Sequence, residues 1–207
     1  MKPFSLIFSA VGMIALSLSS VLAQEVSQEV KVVIKGVKAQ AQNTPQFNVQ
    51  NMVDKRWRPK TWLELDVEFE ARKAVNPNDK SPVVESLEFK YFVGLNKNTA
   101  EGKPVVLTAT ITYNNIIEKE QAHALAFAAP AALSRILEKP NFTTADVKAI
   151  GVEVYRGGAL AGWYTSSGGA RWWENMDQFS TVDGVLLPKS KTPFAPLWGD
   201  YDAEVAQ

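Results

Sequence analysis

Few side chains in this sequence could carry out chemistry, and their scarcity decides a good deal. His123 is the only histidine and there is no cysteine, which removes histidine metal clusters, thiolate ligands, disulfides and a cysteine nucleophile together. A Ser-His-acid triad would have to be assembled around His123. No Gly-x-Ser-x-Gly turn surrounds any serine, however, and Ser166-Ser167-Gly168-Gly169 reads as a loop. His123 therefore reads as an ordinary strand or loop residue. Glu64, Asp66, Glu68 and Glu70 recur at every second position, so on a strand they project to one side at spacings of roughly 7 Å. Such a row could draw calcium or a basic partner, but calcium takes its oxygens from loops that curl round the ion, and a flat row does not curl. The row reads as a solvated outer face. Nothing places a pair of carboxylates across a cleft, as glycoside hydrolysis requires. The sequence thus predicts no catalytic residue, no metal ligand and no cofactor.

Binding is better provided for. Six tryptophans are many for 207 residues, and sugar rings stack on exposed aromatic faces. Arg56-Trp57-Arg58-Pro59-Lys60-Thr61-Trp62 and Trp172-Trp173 are the stretches where such a face would arise. Neighbours on a strand point to opposite sides, so at most one of Trp172 and Trp173 is buried if that stretch is extended. The candidate partner-binding residues are Trp57, Trp172, Trp173, Phe194, Trp198 and Tyr201. The competing reading is that the C-terminal aromatics cover the open edge or end of their own domain. Nucleic acid is disfavoured by a formal net charge of +0, since Arg56, Arg58 and Lys60 alone make a weak patch.

The elements that would position these residues are mostly strands. Leu63, Leu65, Val67, Phe69 and Ala71 alternate with the acidic row, which predicts an antiparallel strand from Trp62 to Ala71 with one buried face. Asn76-Pro77-Asn78-Asp79 and Ser81-Pro82 break the chain. Leu87, Phe89, Tyr91, Val93 and Leu95 then mark a second strand, and Val105, Leu107, Ala109, Ile111 and Tyr113 a third, rich in β-branched residues. Glu29 to Val37 reads as an initial strand. Ile117 to Phe127 suits helix or strand by period, and the strand is favoured by its neighbours. Pro130 fits a first helical turn, with Ala132, Leu133, Ile136 and Leu137 at helical spacing before Pro140 ends it. Val147 to Tyr155 and Ala159 to Thr165 flank Gly157-Gly158, a tight hairpin turn. About seven strands with one short helix and no αβ alternation predict an all-β, immunoglobulin-like two-sheet sandwich.

The ends of the chain read differently from its middle. Lys2, the apolar stretch Phe4 to Leu18 and the small residues of Val21-Leu22-Ala23 predict a signal peptide over 1–23, with Gln24 as the first mature residue. The apolar stretch is short of the roughly 20 residues a span needs, so no transmembrane span is expected after cleavage. An export signal without cysteine fits a bacterial periplasm or outer cell surface. The sandwich is expected over 24–166. Residues 167–207 hold Trp172, Trp173, Phe179, Phe194, Trp198, Tyr201 and three prolines, and are expected as an extended aromatic, proline-rich tail packed on the sandwich. Within this tail Val182-Asp183-Gly184-Val185 could make a small hairpin turn, while Leu187-Pro188 and Pro193-Phe194-Ala195-Pro196-Leu197 favour extended backbone.

Three stretches carry a resemblance: Tyr113 through Phe127-Ala128-Ala129-Pro130, Gly151-Val152-Glu153-Val154 with its Gly157-Gly158 turn, and Leu187-Pro188-Lys189-Ser190-Lys191-Thr192-Pro193-Phe194-Ala195-Pro196-Leu197-Trp198. The chain resembles a set of small exported proteins of Verrucomicrobia, Akkermansia among them. The resemblance implies an immunoglobulin-like sandwich and, in Akkermansia, a protein encoded with a type IV pilus-like gene cluster. Type IV prepilins carry a glycine cleavage site and then a long apolar segment with Glu at its fifth residue. Counted from Gly12, the fifth residue here is Ser17, so the chain reads as a soluble accessory or surface protein rather than a filament subunit. The expected function is a non-catalytic, exported module that binds an envelope or pilus-associated protein, with a carbohydrate-binding module that takes a glycan as the alternative. An exposed planar aromatic platform would favour sugar. An unpaired strand edge or apolar groove near the tail would favour protein, by strand addition.

Overall fold

The computed structural model describes residues 29–206 apart from 49, 52, 54 and 75–78. The signal peptide expected over 1–23, and most of the break expected at Asn76-Pro77-Asn78-Asp79, lie outside the described residues. Seven long strands follow one another: β1 (Val30–Asn43), β2 (Thr61–Lys73), β3 (Val83–Asn98), β4 (Pro104–Ile117), β5 (Gln121–Ala128), β6 (Val147–Arg156) and β7 (Ala159–Thr165). One sheet contains β1-β2-β5 and the other β4-β3-β6-β7. This is an immunoglobulin-like sandwich order that differs from the constant-type domain in placing the fourth strand beside the third, in the second sheet, rather than beside the fifth in the first. Three short strands come from the tail. β8 (Ser180–Asp183) lies beside β4, β9 (Leu186–Pro188) extends the first sheet beyond β5, and β10 (Glu204–Val205) joins the second beyond β4. Among the described residues no helix is long and apolar enough to cross a membrane.

The alternating residues of the sequence face each other across the two sheets. Leu63, Leu65, Val67 and Phe69 of β2 meet Leu87, Phe89, Tyr91 and Val93 of β3, together with Leu107 and Tyr113 of β4, all inaccessible to solvent. Two phenols are buried among them, and each finds a partner, as buried hydroxyls must. Tyr113 Oη donates to the Leu125 carbonyl at 2.8 Å, leaving its lone pair for Tyr91 Oη at 3.0 Å. Burial raises both phenols above the ordinary tyrosine range.

The single α-helix, α1 (Pro130–Leu137), carries the chain from β5 in one sheet to β6 in the other. Pro130 occupies its first turn, where a missing N–H costs nothing. Leu133 and Leu137, one turn apart, are its buried residues, and Glu138 closes it in the left-handed conformation at φ 56°. The first strand runs six residues beyond the expected Val37, because Lys38 to Asn43 stay in register with Asp66 to Thr61 after a bulge between Ile34 and Gly36.

At one margin of the sandwich β7 crosses close to β1. A Cβ on Gly162 would lie 2.3 Å from the Val32 carbonyl oxygen, a separation that side chains do not tolerate. Gly36 has open space around the equivalent position and no positive φ. Gly162→Ala is therefore expected to destabilise the fold by about 2 kcal/mol through forced separation of the two strands. Gly36→Ala should stay within about 0.5 kcal/mol. Urea denaturation midpoints of the two variants check this, and equal midpoints would contradict the close approach.

Candidate functional site

The tail determines what the molecule presents to a partner, because it covers the outer faces of both sheets in turn. Its first half lies on the second sheet. Trp173 stacks on Phe92 of β3, centroids 5.2 Å apart and planes 13° from parallel. The indole lies flat because residue 151 beneath it is glycine, where any Cβ would come within 2.3 Å of the ring. Glu153 of β6 is buried under this cover with both oxygens occupied. Trp173 Nε1 donates to Oε1 at 3.0 Å, Arg171 to the same oxygen at 3.1 Å, and Tyr155 Oη to Oε2 at 2.8 Å. Desolvation and that hydrogen bond push the Tyr155 phenol up to about 12. Trp172 meets Trp173 and Phe179 edge-on, each at 5.4 Å. Residues Trp172–Glu174 form a 3₁₀ turn rather than a strand. One indole of the pair is buried, but turn geometry and not strand parity decides which. Of the pair considered for the alternative of sugar stacking, Trp173 is thus taken up by the protein's own sheet.

The tail then crosses from one sheet to the other. β8 pairs in parallel with Val105 to Thr108 of β4, Gly184 turns the chain at φ 73°, and β9 pairs antiparallel with Ala126 to Ala128 of β5. The hairpin expected at Val182 to Val185 does not form, because its two arms belong to different sheets. Beyond the crossing, β10 pairs with Tyr113 and Asn114, and Ala206 N donates to Thr112 O at 2.9 Å. Between β8 and β10 a stretch of β4 keeps a free edge. Thr112 directs its backbone groups outward to Ala206, so Thr110, two residues earlier, directs its N–H and C=O the same way. Among the described residues no strand pairs with it there, and Thr110 is exposed. This edge is the floor of a groove of about 770 Å³ walled by Leu186, Pro188, Lys191 and Val205.

The second half of the tail lies on the outer face of the first sheet. Phe194 is buried, stacked on Phe127 of β5 at 4.7 Å and edge-on to Trp62 at 5.7 Å. Trp198 stacks on Phe194 at 6.2 Å and Tyr201 on His123 at 4.2 Å. Beneath them the acidic row is not solvated. Glu64 is 4% and Asp66 5% exposed, while Glu68 and Glu70 are half-buried. The expectation of a solvated outer face fails because the tail excludes water from the first two carboxylates. Asp66 is satisfied: His123 Nδ1 donates to Oδ1 and Tyr201 Oη to Oδ2, each at 2.7 Å. Burial, then this hydrogen bond, raises the Tyr201 phenol above its usual range. Lys189, buried, reaches Asp202 at 2.5 Å and the Trp198 carbonyl at 3.3 Å.

Glu64 is less well provided for. Its Oε2 is buried without a hydrogen-bond partner. Desolvation and the neighbouring Asp66 charge raise its carboxyl, against a hydrogen bond from Gln42 that lowers it. A pocket of about 190 Å³ opens here between Glu64, Gln40 and Gln42 on one side and Trp198 and Tyr201 on the other. His123 Nε2 faces the Gln121 amide at 3.4 Å, and no serine hydroxyl is hydrogen-bonded to it among the described residues. No group of three or more His, Cys, Asp or Glu side chains among these residues could hold a metal ion.

Of the six candidate partner-binding residues, Trp57 stands exposed in the segment between β1 and β2, away from any element, while Trp198 and Tyr201 are 44% and 46% exposed beside the pocket. Trp173 and Phe194 are buried and Trp172 half-buried, so Trp173 and Phe194 hold the tail and offer no surface to a partner. The structure brings together Phe194, Trp198 and Tyr201 and leaves Trp57 apart. Residues that sequence reasoning missed are Glu64 and Asp66 as buried groups, Lys189 and Asp202 as their buried neighbours, and the Thr110 edge. The one available signal was Ala122 to Ala128, a nearly unbroken apolar run that fits a strand covered on both sides.

A protein-family model matches residues 23–207 of the chain. No curated protein matches it. Among solved structures, the crystal structure of a protein from Akkermansia muciniphila superposes with a TM-score of 0.72 at 23% identity, over 86% of this chain and 94% of that one. The likeness shows that the two share a fold.

Two measurements check the tail. Phe194→Ala removes a buried, doubly packed ring and is expected to cost about 3 kcal/mol. Trp198→Ala, at a half-exposed site, should cost about 1 kcal/mol, and thermal melts of the two compare them directly. Glu64→Gln tests the buried carboxyl. A raised native-state value means that folded protein keeps a proton the unfolded chain releases near the ordinary 4.5, so stability falls as pH rises through that window. The glutamine variant lacks this loss. It should melt higher than the parent at pH 7 and equal to it below the window, and a lower melting temperature at neutral pH would contradict the unpartnered carboxylate.

Proposed function

The chain belongs to the family whose model spans residues 23–207, and on that premise we propose that it is an exported, non-catalytic module that binds a protein at the cell envelope, accessory to a type IV pilus-like or secretion apparatus. The observation that carries the reading is the free edge of β4 at Thr110, framed by β8 and β10. An extended segment from another protein can add there as a short strand. Its backbone would satisfy groups that the tail leaves open, and its side chains would fall alternately toward the groove wall and toward solvent. The flanking strands limit how far such a segment can pair, which gives register and discourages indiscriminate sheet extension.

Export is supported by the leader-like residues ending Val21-Leu22-Ala23 and by a family match that starts beside them, at residue 23. The link to a pilus-like apparatus rests on the resemblance to Akkermansia proteins encoded with such a cluster. Against a sugar platform stands the burial of Trp173 under its own sheet contacts.

A photo-cross-linking residue placed at Thr110, with an exposed control at Glu101, tests the reading in the native envelope. The expected result is one cross-linked protein from Thr110 and none from Glu101, with Gln24 at the N-terminus of the captured chain by mass spectrometry. Equal labelling from both positions would overturn the strand-edge site. Capture of a glycan in place of a protein would overturn the protein-binding reading, and a mature chain retaining Met1 would overturn export.

A further inference from the structure

We propose that the pocket between β2 and the tail binds an alkylammonium group, as carried on a lysine side chain, with Glu64 as its counter-ion and Trp198 and Tyr201 as its walls. This goes beyond the strand-edge reading and does not depend on it. The inference begins with an imbalance. Glu64 and Asp66 lie under the tail near the tail's own Asp202. Lys189, the one buried lysine among the described residues, is already engaged by Asp202 and the Trp198 carbonyl, with its ammonium 6.0 Å from the centre of the Trp198 ring. Asp66 has a donor on each oxygen. Glu64, at 4% exposure, has an oxygen with none. A buried acceptor without a donor is costly, and more so when it is charged, so a position of this kind is retained where something else supplies the donor.

The surroundings specify the chemistry of that donor. One free carboxylate oxygen matches a point charge such as an ammonium better than a guanidinium, whose planar fork needs two acceptors. Calcium would need six or more oxygens, and both oxygens of Asp66 are spent. The remaining walls are Trp198 and Tyr201 from the tail, Gln40 and Gln42 from β1, and Leu125 and the already satisfied Asp66 from β5 and β2. Aromatic faces attract a cation and also accept the methylenes behind it. The space of about 190 Å³ accommodates a four-carbon stem. Oε2 is shielded from water, so binding requires the Glu64 carboxylate to turn toward the opening.

Trp198 adds an independent sign. It is a non-glycine residue at φ 54°, held there by the Lys189 ammonium on its carbonyl and by Tyr201 N donating to the same oxygen at 3.0 Å. Left-handed backbone at a bulky residue is strained. The strain fixes a large indole, almost half exposed, at the mouth of a pocket whose floor is a carboxylate.

The test uses the whole chain and follows tryptophan indole N–H resonances by NMR during titration with n-butylammonium chloride. n-Butanol serves as the neutral counterpart and sodium chloride as the salt control. The expected result is a saturable shift of one resonance, absent in Trp198→Ala, with n-butylammonium alone. Glu64→Gln should weaken the affinity by about tenfold, the worth of a hydrogen bond to a charged group, while melting no lower than the parent. Nα-acetyl-lysine methylamide and cadaverine then separate the sources: tighter binding of the first assigns a lysine presented by a polypeptide, and of the second a free diamine. Equal shifts with n-butanol, a response that does not saturate, or undiminished affinity in folded Glu64→Gln would overturn the proposal.

Discussion

A carboxylate withdrawn from water needs donors for its lone pairs, and for two of the three buried carboxylates among the described residues, Glu153 and Asp66, this protein supplies them from the far end of its chain. Glu153 is closed by Arg171 and Trp173, and Asp66 by Tyr201. Each carboxylate sits on the outer face of a different sheet, so the two sets of hydrogen bonds fasten the tail at two separated places. Between them the chain has to cross the open margin of the sandwich, which is why β8 and β9 fall in different sheets. Removing either cover would return a charged, half-apolar sheet face to solvent along with the rings that lie on it.

The same arrangement explains where a partner can approach. A strand edge covered along its whole length offers nothing, and one left wholly bare invites indiscriminate pairing. Here the tail pairs with β4 at both ends and leaves Thr110 between them. The tail is therefore both cover and frame. Its packing residues Trp173 and Phe194 are spent on the fold, and the surface it presents comes from what lies beside them, Trp198 and Tyr201 at one place and Pro188, Lys191 and Val205 at another.

The inner faces were legible because a period of two is a local property. Leu63 to Ala71 and Leu87 to Leu95 bury the residues their alternation selects. The outer faces were not, because alternation tells which side a residue points to and not what will cover that side. Glu64 and Asp66 look in sequence like Glu68 and Glu70, and only the arrival of residues more than a hundred positions later separates them. The ambiguity at Ile117 to Phe127 had the same origin, since a strand covered on both faces loses the polar half of its pattern. Val182 to Val185 carried correct turn chemistry, with Gly184 at positive φ, but a turn does not name the strands its arms will join. Trp172 and Trp173 show the converse, one buried ring of two obtained through a 3₁₀ turn instead of a strand.

Tyr201 and Asp66 are separated by 135 positions in the sequence, and Val105 meets Ser180 in parallel. Contacts of such span form late, because the loop they close must first be searched. A chain emerging N-terminus first can assemble β1 to β7 while both sheets still lack their outer cover. Until the last segment arrives, that assembly presents bare aromatic surface and unfilled carboxylates to its neighbours. The period before completion is thus the time of greatest exposure to aggregation and proteolysis, and its length is set by how soon residues 194 to 202 are delivered.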